Sequence, residues 1–330
     1  VYELTSKGNN VAIVSDGSRL LGLGDVGPEA ALPVMEGKSL LYKRFGDINA
    51  YPICIKPNSK DMITSIIESI SPSFGAINIE DMKSPQVLEV TNEVAQRTDI
   101  PIFHDDQHGT SVITLAALVN ALKIVDKKIK EIKIVIAGAG SAGYGIVRLL
   151  DFANCKNIVV LDSTGAIYHN RPKNMDKFKR EIADIVKNTE KLDLDSAIKD
   201  ADVFIGVSGV KNLIKPNHIK KMAKNPIVFA LTNPHPEITP SVALKNGAKV
   251  VGTGSYEYSN PINNAVVFPY LMRALLDLKI ENITLPILYS AAIAISNCVS
   301  KHDLKSGKLV PELGNRQIQK KVTKGINLKQ

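Results

Sequence analysis

Residues 132–145 read IKIVIAGAGSAGYG and run into the helix-like segment IVRLLDFA. An apolar, β-favouring run leads here into glycines with the spacing G-x-G-x-x-G. The first glycine of such a motif allows a tight turn, the second lets the backbone approach a pyrophosphate, and the third lets the helix pack close to the strand. The phosphates then face a helix N-terminus. The residues predicted to hold a dinucleotide are Gly138, Ala139, Gly140, Ser141, Ala142 and Gly143.

An acidic residue is expected about 20 residues after the glycines, where it bonds the ribose hydroxyls. The segment NIVVLDS supplies Asp162 at the end of the next predicted strand. Because a carboxylate repels a 2′-phosphate, the expected cofactor is NAD, and NADP stays open. The alternative for the glycines alone is a structural turn, but the strand, helix and acid around them favour a dinucleotide site.

The pattern around this motif predicts an α/β fold. Four further short apolar runs follow in the second half, each ending in a small or polar residue, as in a Rossmann-type doubly wound parallel sheet. The first half alternates strands and helices as well and predicts a smaller N-terminal α/β domain. We therefore divide the chain into a substrate and metal domain (1–108), a nucleotide-binding domain with C-terminal helices (109–300) and a basic tail (301–330).

Composition places the chain among ordinary globular proteins, with 44% hydrophobic and 22% charged residues. No apolar run looks long and charge-free enough to span a bilayer, and three scattered cysteines suggest buried thiols of a cytoplasmic protein. The formal net charge is +8, of which +6 falls in residues 301–330, leaving +2 for the rest. This distribution indicates a solvated basic tail rather than a nucleic-acid-binding surface.

Two pairs of acids end neighbouring predicted strands. Glu80 and Asp81 follow GAINI, and Asp105 and Asp106 follow IPIFH. Carboxylate oxygens are preferred by hard divalent cations such as Mg²⁺ and Mn²⁺, provided that several converge. The spacing leaves two interpretations open: a metal site, or a cap on the helix that begins near Gly109.

Lys38 is the candidate general base. It lies in PVMEGKSLLYKRF, within a predicted helix and among apolar residues, where a lysine is seldom buried without a reason. Desolvation there, or a nearby cation, would lower its pKa toward the range of a general base. The alternative is an ordinary surface lysine.

Three further polar residues are candidates for ligand binding. Arg19 could pair with a substrate carboxylate through both guanidinium nitrogens, or could be a surface arginine. Asn233 in LTNPHPE follows the strand that usually reaches the nicotinamide, and Asn264 lies in NNAVVFP. Amides at such positions either cap the chain or bind a ligand.

Taken together, these motifs resemble the small bacterial or archaeal type of malic enzyme. The resemblance runs from about residue 4 to 300, and the basic tail lies outside it. The motifs that carry it, in order, are SDGSRLLGLGDVG, PVMEGKSLLYKRF, INIED, FHDDQHGT, GAGSAGYG, FALTNP and NNAVVFP.

The resemblance implies a role for each candidate residue. Lys38 would take the proton from the C2 hydroxyl of malate, and Asp105 would support the site from behind the metal ligands. Arg19 would bind a substrate carboxylate, and Asn233 and Asn264 would hold malate and the nicotinamide end. The ligands of Mn²⁺ or Mg²⁺ would be Glu80, Asp81 and Asp106.

The implied reaction is the oxidative decarboxylation of malate to pyruvate by a homodimer that binds small molecules, not nucleic acid or membranes. In this family a tyrosine in a YTPGVA-like segment protonates C3 of enolpyruvate, and that segment would lie before Val1, so we expect the sequence to be a fragment. Two alternatives stay open: a malolactic or oxaloacetate-decarboxylating enzyme on the same site, and a non-catalytic dinucleotide-binding protein.

Overall fold

The computed structural model describes residues 1–20, 22–57 and 59–327. The chain divides into two units. The first contains Val1–Gly109, Asn264–Ala294 and Glu312–Gln330, and the second contains Thr110–Asn263 and Ile295–Pro311. Each unit is organised around one mainly parallel sheet with helices packed against it.

Strands and helices alternate through the front part of the first unit. In chain order they are β1 (Asn10–Ser15), α1 (Gly27–Gly46), β2 (Asn49–Cys54), α2 (Lys60–Ile70), β3 (Ala76–Ile79), α3 (Gln86–Arg97) and β4 (Ile102–His104). The strands are parallel, in the order β2-β1-β3-β4. Because β3 and β4 are neighbours, the acid pairs that follow them lie at the same edge of this sheet.

The second unit has the predicted doubly wound sheet. Its elements are α4 (Thr110–Val125), β5 (Lys133–Ala137), α5 (Ser141–Phe152), β6 (Asn157–Asp162), β7 (Gly165–Ala166), α6 (Lys177–Val186), α7 (Leu194–Ala197), β8 (Val203–Gly206), α8 (Pro216–Lys221), β9 (Ile227–Ala230), α9 (Pro240–Lys245) and β10 (Val250–Thr253). The strand order is β10-β9-β8-β5-β6-β7, with only the short β7 antiparallel. The order reverses between β5 and β8, and ligands bind at such a point in sheets of this kind.

Helix α4 is apolar on nearly every face, and most of its side chains are buried. With the preceding turn it forms a 21-residue stretch, Asp105–Val125, that is long and apolar enough to cross a membrane by length and composition. The sequence-based expectation that no run meets this test is therefore wrong. Since 78% of its apolar window is buried inside the structure, the helix has the properties of a core helix.

The C-terminal part of the chain contributes to both units. It forms α10 (Phe268–Asp277), α11 (Leu285–Ser296), α12 (Lys301–Lys305) and α13 (Gln317–Asn327). Helix α10 packs against α1 and α13 in the first unit. The sequence pattern places all residues from 109 to 300 in the nucleotide-binding domain, whereas in the structure Asn264–Ala294 belong to the first unit.

The basic tail forms helices within residues 301–327, and most of its basic side chains are exposed, as a solvated tail would have them. Residues 328–330 lie outside the described residues. Ile318, Val322 and Ile326 recur every fourth residue and form the buried face of α13, while its lysines lie on the other faces. In the second unit, Leu309 and Val310 are buried, and Asn120 of α4 donates hydrogen bonds to the carbonyls of Ser296 and Leu309.

Candidate active site

Lys38 lies on the buried face of α1. The buried residues of this helix include Ala31, Met35, Lys38 and Tyr42, whose spacing of three or four residues defines one face. The side chain of Lys38 is only 8% exposed. Periodicity therefore points it into the first unit, and the surface interpretation of this lysine is wrong.

Two carboxylates pair with the ammonium group of Lys38. Its Nζ lies 2.8 Å from Oε2 of Glu80 and forms a short hydrogen bond to Oδ2 of Asp105. The ring of Phe268 lies on the same group, with its centroid 4.2 Å from Nζ. Carboxylates and an aromatic face both favour the charged form of a lysine.

The pKa of Lys38 is therefore raised, not lowered as the sequence suggested. Burial by itself lowers this pKa, but the charges of Asp105 and Glu80 and their hydrogen bonds outweigh it. Both acids lie more than 40 residues from Lys38 along the chain, so the sequence around the lysine does not reveal them.

A second layer of polar groups orients these acids. Asn264 donates a hydrogen bond of 2.7 Å from Nδ2 to Oδ2 of Asp105. The hydroxyl of Tyr42 donates to Oδ1 of Asn78 at 2.9 Å, and Nδ2 of Asn78 donates to Oε2 of Glu80 at 2.8 Å. Sequence reasoning missed Tyr42, Asn78 and Phe268. Two signals in the sequence could have identified two of them. Tyr42 lies one helical turn after Lys38, and Asn78 lies two residues before Glu80, so each shares a face with its neighbour.

Asp81 and Asp106 are the acids without a protein partner. Across residues 1–20, 22–57 and 59–327, neither side chain receives a hydrogen bond or an ion pair. Burial, followed by repulsion from neighbouring carboxylates, raises the pKa of Asp81 to about 8 and that of Asp106 to about 6. Asp81 also has a left-handed backbone with φ of 49°, which is unusual for a residue other than glycine.

The chemistry of these side chains suits a hard divalent cation. The side chains of Glu80, Asp81, Asp105 and Asp106 offer carboxylate oxygens, which such cations prefer. One buried oxygen of Asp105, Oδ1, has no hydrogen-bond partner among the described residues. Burying a carboxylate without a partner costs free energy. In the described part of the chain, however, no three His, Cys, Asp or Glu side chains are arranged so that they could hold a metal ion. Glu80 and Asp105 are instead paired with Lys38.

Arg19 reaches this cluster through its backbone. Its N–H donates a hydrogen bond of 3.0 Å to the carbonyl of Asp81, while its side chain is exposed. Its charge is one of the influences that lower the pKa of Asp106. The guanidinium group is therefore accessible to a ligand, as a carboxylate-binding arginine must be.

The glycine-rich turn has the predicted form in the second unit. It connects β5 to α5, and Gly138 has a φ of 118°, which disfavours any other residue. A Cβ on Gly143 would lie 2.0 Å from the carbonyl oxygen of Gly138, so the close packing of helix on strand requires glycine. A Cβ on Gly140 would meet nothing within 4 Å. The open side of the turn is therefore at Gly140, where a pyrophosphate is expected.

Ser141 supports the same interpretation of the turn. It is the first residue of α5, and its buried hydroxyl has no hydrogen-bond partner among the described residues. A buried polar atom without a partner at a helix N-terminus fits a site for a bound anion. The turn thus fits a dinucleotide.

Asp162 ends β6 as predicted, but its carboxylate already accepts hydrogen bonds from neighbouring protein groups. Six donors bond it: the backbone and hydroxyl of Thr164, both terminal nitrogens of Arg171, the amide of Asn174 and the ammonium of Lys179. The Arg171 and Lys179 ion pairs measure 2.6 and 2.9 Å. Two cations therefore offset the charge on which the expected NAD preference depended.

This cluster gives a testable link between stability and pH. Burial raises the pKa of Asp162, but the hydrogen bonds from Arg171 and Lys179 outweigh it and hold the pKa well below its usual range. We expect Asp162→Asn to destabilise the protein by about 3 kcal/mol at pH 7, because the buried Arg171 and the half-buried Lys179 lose their partner.

The sign of the pH effect follows from the lowered pKa. The stabilisation is complete above the unfolded-state pKa, and it declines by about 1.4 kcal/mol per pH unit below about pH 4. Urea unfolding of both proteins at pH 7, 5 and 3 measures this. Asp47→Asn, in an exposed pair with Lys43, is the control and should leave the midpoint unchanged. A constant difference between Asp162→Asn and the parent from pH 7 to 3 would contradict the argument.

The remaining candidates fall into different units. Asn264 belongs to the first unit, with Lys38 and the acids, whereas Asn233 belongs to the second, with the glycine-rich turn. Asn233 is half-buried and follows β9, at the carboxyl edge of the sheet. The first unit therefore contains the buried lysine and the acid cluster, and the second contains the glycine-rich turn.

Two family models match the chain. The malic enzyme N-terminal domain matches residues 1–63, and the malic enzyme NAD-binding domain matches residues 107–328. The second match includes most of the basic tail, which sequence analysis had placed outside the resemblance. The folded C-terminal segments agree with that match.

Known proteins of similar sequence and structure carry the same family name. The bifunctional malic/malolactic enzyme of Bacillus subtilis is 43% identical over 328 residues, covering 99% of this chain and 80% of that protein. An NADP-dependent malic enzyme of Halomonas elongata is 40% identical, covering 90% and 70%. The crystal structure of the NAD-dependent malic enzyme of Thermotoga maritima superposes with a TM-score of 0.92 at 43% identity, covering 98% and 85%. These matches cover nearly the whole chain, including the lysine and acid cluster and the glycine-rich turn, and the chain belongs to the malic enzyme family.

Proposed function

We propose that this protein oxidatively decarboxylates (S)-malate to pyruvate and CO₂, reduces NAD or NADP, and depends on Mn²⁺ or Mg²⁺. The observation that carries the proposal is the buried Lys38 between Glu80 and Asp105, beside two acids without protein partners. A buried lysine in an acid cluster at the carboxyl edge of a sheet is a costly arrangement that a purely structural role does not require.

Lys38 is the proposed general base for the C2 hydroxyl of malate. Asp105, itself held by Asn264, keeps Nζ in place, and Glu80 is oriented through Asn78 and Tyr42. Lys38 must be neutral to accept a proton, but the negative charges of Asp105 and Glu80 raise its pKa and so favour its charged form. A divalent cation on Glu80, Asp81 and Asp106 would offset their field and, as a Lewis acid, would stabilise the enolate that forms when CO₂ leaves.

Arg19 and Asn264 are the proposed substrate ligands in the first unit. A guanidinium group can bind a carboxylate of malate through two parallel hydrogen bonds. The amide of Asn264 already donates to Asp105, and its oxygen is left to accept a hydrogen bond from substrate.

The second unit would hold the dinucleotide, which accepts the hydride from C2. Backbone N–H groups from Gly138 to Gly143 and the Ser141 hydroxyl would bind the pyrophosphate, and Asn233 would contact the nicotinamide end. Because Arg171 and Lys179 offset the charge of Asp162, we propose that NAD is preferred only mildly and that NADP is accepted. As the resemblance implies, we place this activity in a cytoplasmic homodimer.

A malolactic reaction on the same site is the second candidate. The relative from Bacillus subtilis is named a bifunctional malic/malolactic enzyme, and it covers nearly the whole chain. The base and the metal ligands would serve both reactions. In the malic enzyme reaction the reduced dinucleotide leaves the protein, whereas in the malolactic reaction it would reduce pyruvate to lactate.

The test is an absorbance assay at the NADH band with malate, Mn²⁺ and either NAD or NADP, on the protein with its natural N-terminus. We expect NADH and pyruvate to accumulate together, with NADP supporting a slower reaction. Lactate formation without NADH accumulation would select the malolactic alternative. Binding of NADH without turnover of malate would instead identify a non-catalytic dinucleotide-binding protein.

A further inference from the structure

Glu237 is a fully buried carboxylate that the proposed reaction does not use. Its exposure is 0%, and it lies between β9 and α9 in the second unit. Four hydrogen bonds reach it: Oε1 accepts from the backbone and hydroxyl of Ser208 at 3.0 and 2.8 Å and from the hydroxyl of Thr232 at 2.5 Å, and Oε2 accepts from the backbone of Thr232 at 3.2 Å. No Lys or Arg of the described residues pairs with it.

These bonds join two loops at the carboxyl edge of the sheet. Ser208 lies in residues 207–209, directly after β8, and Thr232 lies in residues 231–233, directly after β9. The hydroxyl of Thr232 also accepts a hydrogen bond of 3.0 Å from the backbone of Gly209. Glu237 therefore links the backbone next to Asn233 to the loop that follows β8.

The linked loops also abut the glycine-rich turn. A Cβ on Gly138 would lie 2.4 Å from the carbonyl oxygen of Val207, so the turn and loop 207–209 are in close contact. The side chain of Glu237 is also closely packed, because a Cβ on Gly206 would lie 2.3 Å from Cδ of Glu237. A displaced Glu237 would therefore shift loops 207–209 and 231–233, which lie beside this turn.

A buried carboxylate without a cation costs free energy, because its hydration is lost and only hydrogen bonds replace it. A neutral side chain could join two loops at lower cost. A carboxylate has the advantage that it only accepts, so it holds four donors in one arrangement. This chemistry suits a group that fixes loop geometry more than one that adds stability.

We propose that Glu237 is a positioning residue that holds loops 207–209 and 231–233 for the nicotinamide half of the dinucleotide. In doubly wound sheets the dinucleotide crosses the point where the strand order reverses, here between β5 and β8. Its adenosine half lies toward β6 and Asp162, which leaves the ends of β8 and β9 for the nicotinamide half. The inference rests on the proposed cofactor site.

The test compares NADH with ADP, which has the adenosine and pyrophosphate but no nicotinamide. In Glu237→Gln the amide nitrogen replaces an acceptor and faces the N–H of Thr232, so the loop must shift. We expect the Kd of NADH, measured by calorimetry, to rise about tenfold. The Kd of ADP should stay within about twofold, which a general loss of stability would not produce.

Asp202→Asn is the matched control, because it makes the same change at the opposite edge of this sheet. Asp202 accepts hydrogen bonds from Lys127 and from the backbone of Lys133 at the start of β5. This variant should lose stability and keep its NADH affinity. Thr232→Val, which keeps the shape but removes the hydroxyl, should weaken NADH binding, and Thr232→Ser should restore it.

The outcomes separate the two proposals. If Glu237→Gln does not fold, Thr232→Val and Thr232→Ser decide the question by the same titrations. Unchanged NADH affinity in the folded variants, or equal losses for NADH and ADP, would overturn the role of Glu237 alone. Failure of the unaltered protein to bind NADH would overturn the cofactor site itself.

Discussion

Replacing Lys38 by alanine is expected to lower malate-dependent NADH formation by about a thousandfold or more. A positioned general base contributes about 10² to 10⁴ in rate, and the ammonium group also balances two buried carboxylates. The measurement is the initial rate at the NADH band, with malate, NAD and Mn²⁺ at saturation. NADH binding, measured separately, should change little because the residues proposed to hold the dinucleotide belong to the second unit.

Two variants show whether the loss is chemical. Lys38→Arg keeps the positive charge beside Glu80 and Asp105, but a guanidinium group does not lose its proton. It should therefore be folded and nearly as inactive as the alanine variant. Lys43→Ala, an exposed lysine of the same helix, should keep full activity. Activity of Lys38→Arg close to that of the unaltered protein would show that Lys38 is not the base.

Asp106→Asn is expected to weaken Mn²⁺ binding by about a hundredfold or more. Asp106 has no partner in the ranges that the structure describes, and an amide supplies one neutral oxygen in place of a charged carboxylate. Electron paramagnetic resonance of free Mn²⁺ gives the Kd without any turnover. We expect malate oxidation to be lost in parallel and to be partly restored at high Mn²⁺ concentration.

The matched control for this experiment is Asp99→Asn. Asp99 is an exposed acid that precedes β4, at the amino edge of the same sheet, so the variant makes the same charge change away from the cluster. Its Mn²⁺ affinity should match that of the unaltered protein. Unchanged affinity in Asp106→Asn would remove Asp106 from the ligand set, and no Mn²⁺ binding by the unaltered protein would refute the metal proposal.

Much of the fold was readable from the sequence because its signals are local. The glycine spacing requires a tight strand-to-helix turn, which the structure has at Gly138 and Gly143. Alternating strands and helices predicted both sheets. The acids at the ends of β3 and β4 had to share an edge once those strands were neighbours.

Contacts between distant segments were not readable in the same way. Asp105 pairs with Lys38 across 67 positions and with Asn264 across 159, and these pairings reverse the expected direction of the Lys38 pKa. Likewise, Arg171 and Lys179, which pair with Asp162, come from the loop and helix after β6, and no sequence pattern predicts that they contact it. The return of α10 to the first unit depends on packing against α1 and α13.

The sequence by itself determined the order of strands and helices, the glycine-rich turn and which acids end neighbouring strands, because steric and hydrophobic periodicities act over a few residues. Only the tertiary structure decided which charges meet: Lys38 with Glu80 and Asp105, and Asp162 with Arg171 and Lys179. Electrostatic energies depend on distance and burial in three dimensions, and neither quantity is encoded in the spacing of residues along the chain.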